Sequence, residues 1–250
     1  MAEERPKTVK STLAGDDGRP KFVDAHTPPR LPSMLITSDF LFLHVPRTGG
    51  RFLRTLCYEH LPPERMIRNA LNPHTEYEVV AHDFADLPMI AFVRNPWDWY
   101  VSWYHHVMQT IPEEQQGPQW ETAFGRGQNS FKEAVTIACT GEGFGKVQTL
   151  QTMRERNIDH FSAMFWRRAG IGVEAGRVEI GRYENLGGDF MAFLQRHGVR
   201  VPTEMAKALE EAPRVGATER EQYRSYYDDE LRDLVGEKAR SLIADHGYSF

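Results

Sequence analysis

The stretch Phe40-Leu-Phe-Leu-His-Val-Pro-Arg-Thr-Gly-Gly-Arg-Phe-Leu-Arg-Thr-Leu56 constrains the fold more than any other part of this chain. It opens on a continuous apolar run, breaks at Pro46 and a pair of glycines, and resumes with Phe52, Leu53, Leu56 and Cys57 at helical spacing. The pattern predicts a buried strand over roughly 40–45, a tight turn, and a helix from Gly50 to about His60, stopped by Pro62-Pro63. The first N–H groups of such a helix have no partner within it, and its N-terminus carries partial positive charge. With Arg47 and Arg51 alongside, Thr48 offering a hydroxyl and Gly49 and Gly50 permitting close backbone approach, the corner suits phosphate or sulfate.

Ile90-Ala-Phe-Val-Arg-Asn-Pro-Trp-Asp-Trp-Tyr-Val-Ser102 repeats the same logic. A strand over Pro88–Val93 ends at Arg94, Asn95 is placed to cap a helix, and Pro96 occupies its favoured first position. That helix is expected to run to about Met108, with Ser102 one to two turns in, where its hydroxyl can approach an anion also held by Arg94. Trp97, Trp99 and Trp103 read as core and domain-wall residues. Two anion sites on neighbouring strand ends suggest a ligand phosphorylated at two places.

Further strands are expected at Glu78–His82 and Arg177–Gly181, with helices over about 130–139, 147–156 and 185–197 and a closing helical region carrying Leu231, Leu234, Val235, Leu242 and Ile243. Thr218 and Glu221 have capping-box spacing before it. Residues 111–130 show no period and read as a long surface loop. Strands alternating with helices predict an α/β fold: a three-layer α/β/α sandwich around a mainly parallel sheet, with a P-loop-like strand–loop–helix. Residues 34–250 are expected to form one domain behind a flexible polar tail at 1–33.

A net charge of −5 argues against a general nucleic-acid binder. Cys57 and Cys139 are the only cysteines, which excludes a disulfide framework and a thiolate metal site. No His, Asp or Glu cluster has metal-ligand spacing, so no metal is expected; His105 and His106 are adjacent on one helix and diverge. No apolar run approaches the roughly twenty residues of a membrane span, and residues 1–6 lack the apolar core of a secretory signal, so a cytoplasmic location is the simplest expectation.

The first corner is not a Walker loop, since Gly-x-x-x-x-Gly-Lys-Ser/Thr does not occur in it. Taken together, the segments resemble the PAPS-dependent sulfotransferases, PAPS being 3'-phosphoadenosine 5'-phosphosulfate, and most of all their carbohydrate branch, which includes the heparan sulfate O-sulfotransferases. The likeness rests on His44-Val-Pro-Arg-Thr-Gly-Gly50, on Arg94 and Ser102 at their spacing, on Ile180-Gly-Arg-Tyr-Glu-Asn-Leu186, and on residues 226–235 and 246–250. It implies that Arg47, Thr48, Gly49, Gly50, Arg51 and Phe52 hold the 5'-phosphosulfate and that Arg94 and Ser102 hold the 3'-phosphate. The product would be 3',5'-adenosine bisphosphate (PAP). Arg47 stands where the family usually has lysine, and Arg51 where it has a hydroxyl residue. Arg47 keeps the charge but does not give up a proton.

Sulfuryl transfer to a hydroxyl also needs a base. His82, at the end of the second expected strand and matching a histidine of related enzymes, is the first candidate. His44 is expected to order the loop, Glu76, Glu78 and Asp83 are carboxylate alternatives, and His105 and His106 read as surface or acceptor-side residues. The acceptor is a hydroxyl of a sugar or another small molecule, with a protein tyrosine as an alternative. An NTP-dependent phosphotransferase and a non-catalytic nucleotide-binding homologue are the competing readings.

Overall fold

The computed structural model describes residues 34–67, 69, 71–72, 74–110, 123–141, 147–211 and 222–250. The expected N-terminal tail, most of the 111–130 loop and the Thr218–Glu221 capping box lie outside these residues.

Four strands form one sheet in the order β1-β2-β3-β4: β1 (Leu35–Ile36), β2 (Leu41–Leu43), β3 (Met89–Val93) and β4 (Val178–Arg182). The last three run parallel, with Leu43 opposite Ala91 and Val93 opposite Arg182, while β1 is an antiparallel edge. Parallel pairing brings the carboxyl ends of β2, β3 and β4 to one side of the sheet.

Successive strand residues point to opposite faces. On one face, Leu41, Leu43, Met89, Ala91 and Val93 pack under α3 (Pro96–Thr110), α4 (Phe131–Thr140) and α10 (Asp229–Lys238). On the other, Phe40, Phe42, Ile90 and Phe92 pack under α1 (Gly50–His60), α8 (Leu186–Arg196) and α9 (Thr203–Glu211). Both faces of β2 and β3 are therefore apolar, which is why the sequence shows unbroken runs there. Phe40 meets Phe190 and Phe193 edge-on, at ring separations of 5.6 and 6.0 Å. The expected α/β/α sandwich with a mainly parallel sheet is the observed fold.

One expected strand is not a strand. Tyr77–Val80 forms the short helix α2, and residues 81–86 form turns. Only Tyr77 and Val80 of that helix are buried, at i and i+3, whereas Glu78 and the neighbouring Val79 face solvent. Of the apolar run Val79-Val80-Ala81 that suggested β-structure, Val80 alone is buried, and it shares a one-turn helical face with Tyr77.

Between β3 and β4 the chain adds α5 (Val147–Arg156), α6 (His160–Phe165), a π-helical turn at Trp166–Gly170 and α7 (Ile171–Glu174). Asp159 caps α6, and Asp228 caps α10 through the Leu231 N–H. Ser130 and Glu133 form a reciprocal capping box on α4. After α10, a last helix, α11, covers Arg240–Asp245. Among the described residues, no helix is long and apolar enough to cross a membrane.

Candidate active site

The loop between β2 and α1 is held from three directions. Thr48 donates its hydroxyl hydrogen to the Val45 carbonyl at 2.7 Å and is fully buried. Trp99 of α3 donates its indole N–H to the Pro46 carbonyl at 2.8 Å. The His44 ring lies against Gly50, where a Cβ would come 2.6 Å from its Cγ. Arg47 (φ 65°) and Gly49 (φ 88°) both occupy the left-handed region, which sharpens the turn and delivers Gly49 as the N-cap of α1. Buried as it is, the Thr48 side chain serves the loop, and the loop's offering to a ligand is its backbone N–H groups. The first turn of α1 holds no acid and carries Arg51, a charge pattern that suits a bound anion.

The second corner meets the first directly. Arg94, at the end of β3, is 4% exposed and donates from Nη1 to the Arg47 carbonyl at 2.9 Å. Its Nε and Nη2 both reach Asp98 Oδ2, at 2.7 and 2.6 Å. The Tyr183 ring, just beyond β4, lies 4.1 Å from the Arg94 guanidinium carbon. A guanidinium has five N–H groups, so two remain for a ligand once these three are spent. Arg47 in turn donates from Nε and Nη2 to Ser102 Oγ, at 3.1 and 3.0 Å. Arg47, Arg94 and Ser102, chosen from sequence spacing, are therefore linked by hydrogen bonds at the ends of two adjacent parallel strands. Asp98, Tyr183 and Glu184 were missed as part of the corner. The i,i+4 spacing of Arg94 and Asp98 was a readable signal for the first; Tyr183 and Glu184 lie in the 180–186 stretch that carries the family likeness, but nothing in that stretch ties them to Arg94.

The histidines divide sharply. His44 is stacked on Phe42 and tilted against His74 at 4.6 Å, and its Nδ1 is sealed from solvent without a hydrogen-bond partner. Burial, then the neighbouring His74, Arg54, Arg168 and Arg47, hold its pKa well below the usual value, so it stays neutral and orders the loop. His106 follows Ser102 by one turn on the same face of α3 and is half-buried. Burial, followed by the charges of Arg47 and Arg51, lowers its pKa to about 4. His105 turns instead to the Tyr226 hydroxyl at 2.9 Å.

His82 is not at a strand end. It stands in the turns after α2 with its side chain 99% exposed and its Nδ1 3.2 Å from Asp83. Glu76 is committed to Arg167 through two contacts of 2.8 and 2.5 Å. Phe52, Leu53, Leu56 and Cys57 direct α1 onto the sheet as its spacing predicted, with Phe52 partly buried. Trp97, Trp99 and Trp103 are all core residues, Trp99 stacking on Phe161 at 4.4 Å.

The model of the sulfotransferase family matches residues 37–238 of this chain. Among solved structures, the chain is similar to mouse sulfotransferase SULT7A1 complexed with PAP, at 16% identity and a TM-score of 0.51, over 84% of this chain and 88% of that one. No curated protein matches it.

Proposed function

Because the chain belongs to the sulfotransferase family, we propose that it transfers the sulfuryl group of PAPS to an acceptor hydroxyl, with the Arg47 and Arg94 corners gripping opposite ends of the donor. The observation that carries this reading is the 2.9 Å hydrogen bond from Arg94 to the Arg47 carbonyl, which joins the two anion-seeking corners into one surface. The donor set fits the ligand: guanidinium groups, a helix N-terminus without acids and a serine hydroxyl suit phosphate oxygens. The solved structure with the similar fold was determined with PAP.

PAPS supplies an activated sulfuryl group whose bond to the 5'-phosphate breaks as the acceptor oxygen bonds to sulfur. Arg47 is permanently charged and stabilises the negative charge left on the departing phosphate without giving up a proton. Its hydrogen bonds to Ser102 tie the guanidinium to α3, beside the Arg94 corner. The N–H groups of Gly49, Gly50, Arg51 and Phe52 bind and orient the 5' end, and Arg94 with Ser102 binds the 3'-phosphate. Neutral His44 keeps the loop in shape.

Two imidazoles compete to take the acceptor proton. The family resemblance favours His82, which an acceptor can reach freely on its exposed turn. The geometry favours His106, one turn beyond Ser102 and in the field of Arg47 and Arg51. The acceptor is a sugar or other small-molecule hydroxyl.

Calorimetry with PAP, followed by transfer of labelled sulfate to a panel of hydroxyl acceptors, tests the reading. Micromolar binding of PAP without magnesium is expected. Binding of neither PAP nor PAPS refutes it, and magnesium-dependent binding of ATP in its place supports a phosphotransferase. In the transfer assay, loss of turnover with PAP affinity preserved, in either His82→Ala or His106→Ala, identifies the base.

A further inference from the structure

Glu184 lies in the turn after β4, one residue beyond the tyrosine that covers Arg94. Both of its carboxylate oxygens are engaged. Oε1 accepts the backbone N–H of Asn95 at 2.9 Å, and Oε2 accepts the Tyr248 hydroxyl at 2.9 Å. Asn95 has two further tasks: its Oδ1 accepts the Trp97 N–H at 3.1 Å at the start of α3, and its Nδ2 donates to the Ser249 carbonyl at 2.9 Å. Phe250 then packs edge-on against Trp97 at 5.5 Å and Tyr227 at 5.6 Å, while Arg182 lies 4.6 Å from the Tyr248 ring. Residues 248–250 are thereby bound to the β3–α3 corner from two sides.

The peptide that Glu184 holds is the one linking Arg94 to Asn95. Fixing its N–H fixes the rotation of the Arg94 backbone, and with it the origin of a side chain that is 4% exposed and has little room to readjust. Asn95 is itself 9% exposed, so its N–H would have little water to replace the carboxylate. A charged acceptor makes this bond stronger than an amide would.

We propose that Glu184, braced by Tyr248, is a positioning residue that aims Arg94 and so sets the preference of the site for a 3'-phosphorylated nucleotide. This rests on the reading that Arg94 holds the 3'-phosphate of the donor. Glu184 touches no ligand; it acts through the Arg94–Asn95 peptide, and residues 248–250 are part of the device.

The test compares affinity for PAP with affinity for 5'-AMP, which lacks the 3'-phosphate, by calorimetry on the full chain. Glu184→Ala is expected to weaken PAP binding about tenfold and to leave 5'-AMP within about twofold, so that discrimination collapses. Glu184→Gln, which keeps the shape and one acceptor, recovers most of it. Tyr248→Phe removes only the brace and is expected to cost about threefold on PAP alone, which keeps the idea testable if Glu184→Ala does not fold. Equal weakening of both nucleotides, or none, in the folded variants overturns the inference by itself. Wild-type protein that does not prefer PAP over 5'-AMP overturns the donor reading, and this inference with it.

Discussion

Placing alanine at position 50 should force the loop and the His44 ring apart. A Cβ on Gly50 would come 2.6 Å from His44 Cγ, well inside any allowed carbon–carbon contact. The ring has no easy escape, because it is stacked on Phe42 at 5.8 Å and set against His74 at 4.6 Å. Overpacking of this kind costs about 3 kcal/mol at the upper end of its usual range. Replacing a helical glycine returns roughly 0.5–1 kcal/mol, leaving a net loss of about 2 kcal/mol. For a domain of this size that lowers the melting temperature by about 4–8 °C. Because the same loop presents the N-terminus of α1, PAP affinity should fall as well. The decisive assay is a double-mutant cycle by thermal or denaturant melting. His44→Ala alone leaves a cavity and destabilises, but in the Gly50→Ala background it should relieve the clash while the gain from replacing the glycine persists, giving a coupling of about 3 kcal/mol of opposite sign to the single losses. Additive single effects would refute the reasoning, as would a Gly50→Ala protein as stable as the wild type.

Arg94→Ala should abolish measurable preference for PAP over 5'-AMP while leaving a folded protein, checked by calorimetry beside circular dichroism. Ser102→Ala removes the oxygen that Arg47 contacts at 3.1 and 3.0 Å; an approximately tenfold loss of PAP affinity is expected for a hydrogen bond to charged groups, and unchanged affinity would remove Ser102 from the site. Asp159 is fully buried, and burial raises its pKa to about 6 from 3.8. A carboxyl whose folded pKa is raised contributes stability that is complete below the unfolded pKa and lost as pH rises through the folded one. Asp159→Asn keeps an oxygen for the Ser162 N–H, now 2.6 Å from Oδ1, and should therefore gain about 1 kcal/mol on wild type between pH 5 and pH 7.5; a stability difference that is flat with pH counts against it.

The β2–α1 and β3–α3 corners were legible because their signals are local. An apolar run, a Pro or Gly break and a helical stripe lie within about seventeen residues of one another in each case, and each fixes its own hydrogen bonding. The failure at Glu78–His82 has the same root. A short apolar run serves a strand or a single helical turn equally well, and packing of Tyr77 and Val80 onto the sheet's helical layer chose the turn. With the strand went the argument that put His82 beside the arginines; it is a surface residue of that turn.

By itself the sequence determined the chemistry on offer: two arginine-bearing strand ends, a glycine turn, and helices ready to point their N-termini at an anion. These follow from backbone geometry and side-chain type within single segments. Only the tertiary structure decided which groups act together. Parallel pairing of β2 with β3 joined Arg94 to the Arg47 carbonyl. Pairing of β3 with β4 brought Tyr183 and Glu184, some ninety residues away in sequence, onto the same corner. The direction of α3 set His106 in the field of the loop's charges. Such contacts depend on the register and order of strands, which are fixed by burying both faces of one sheet at once, and no local stretch of residues contains that information.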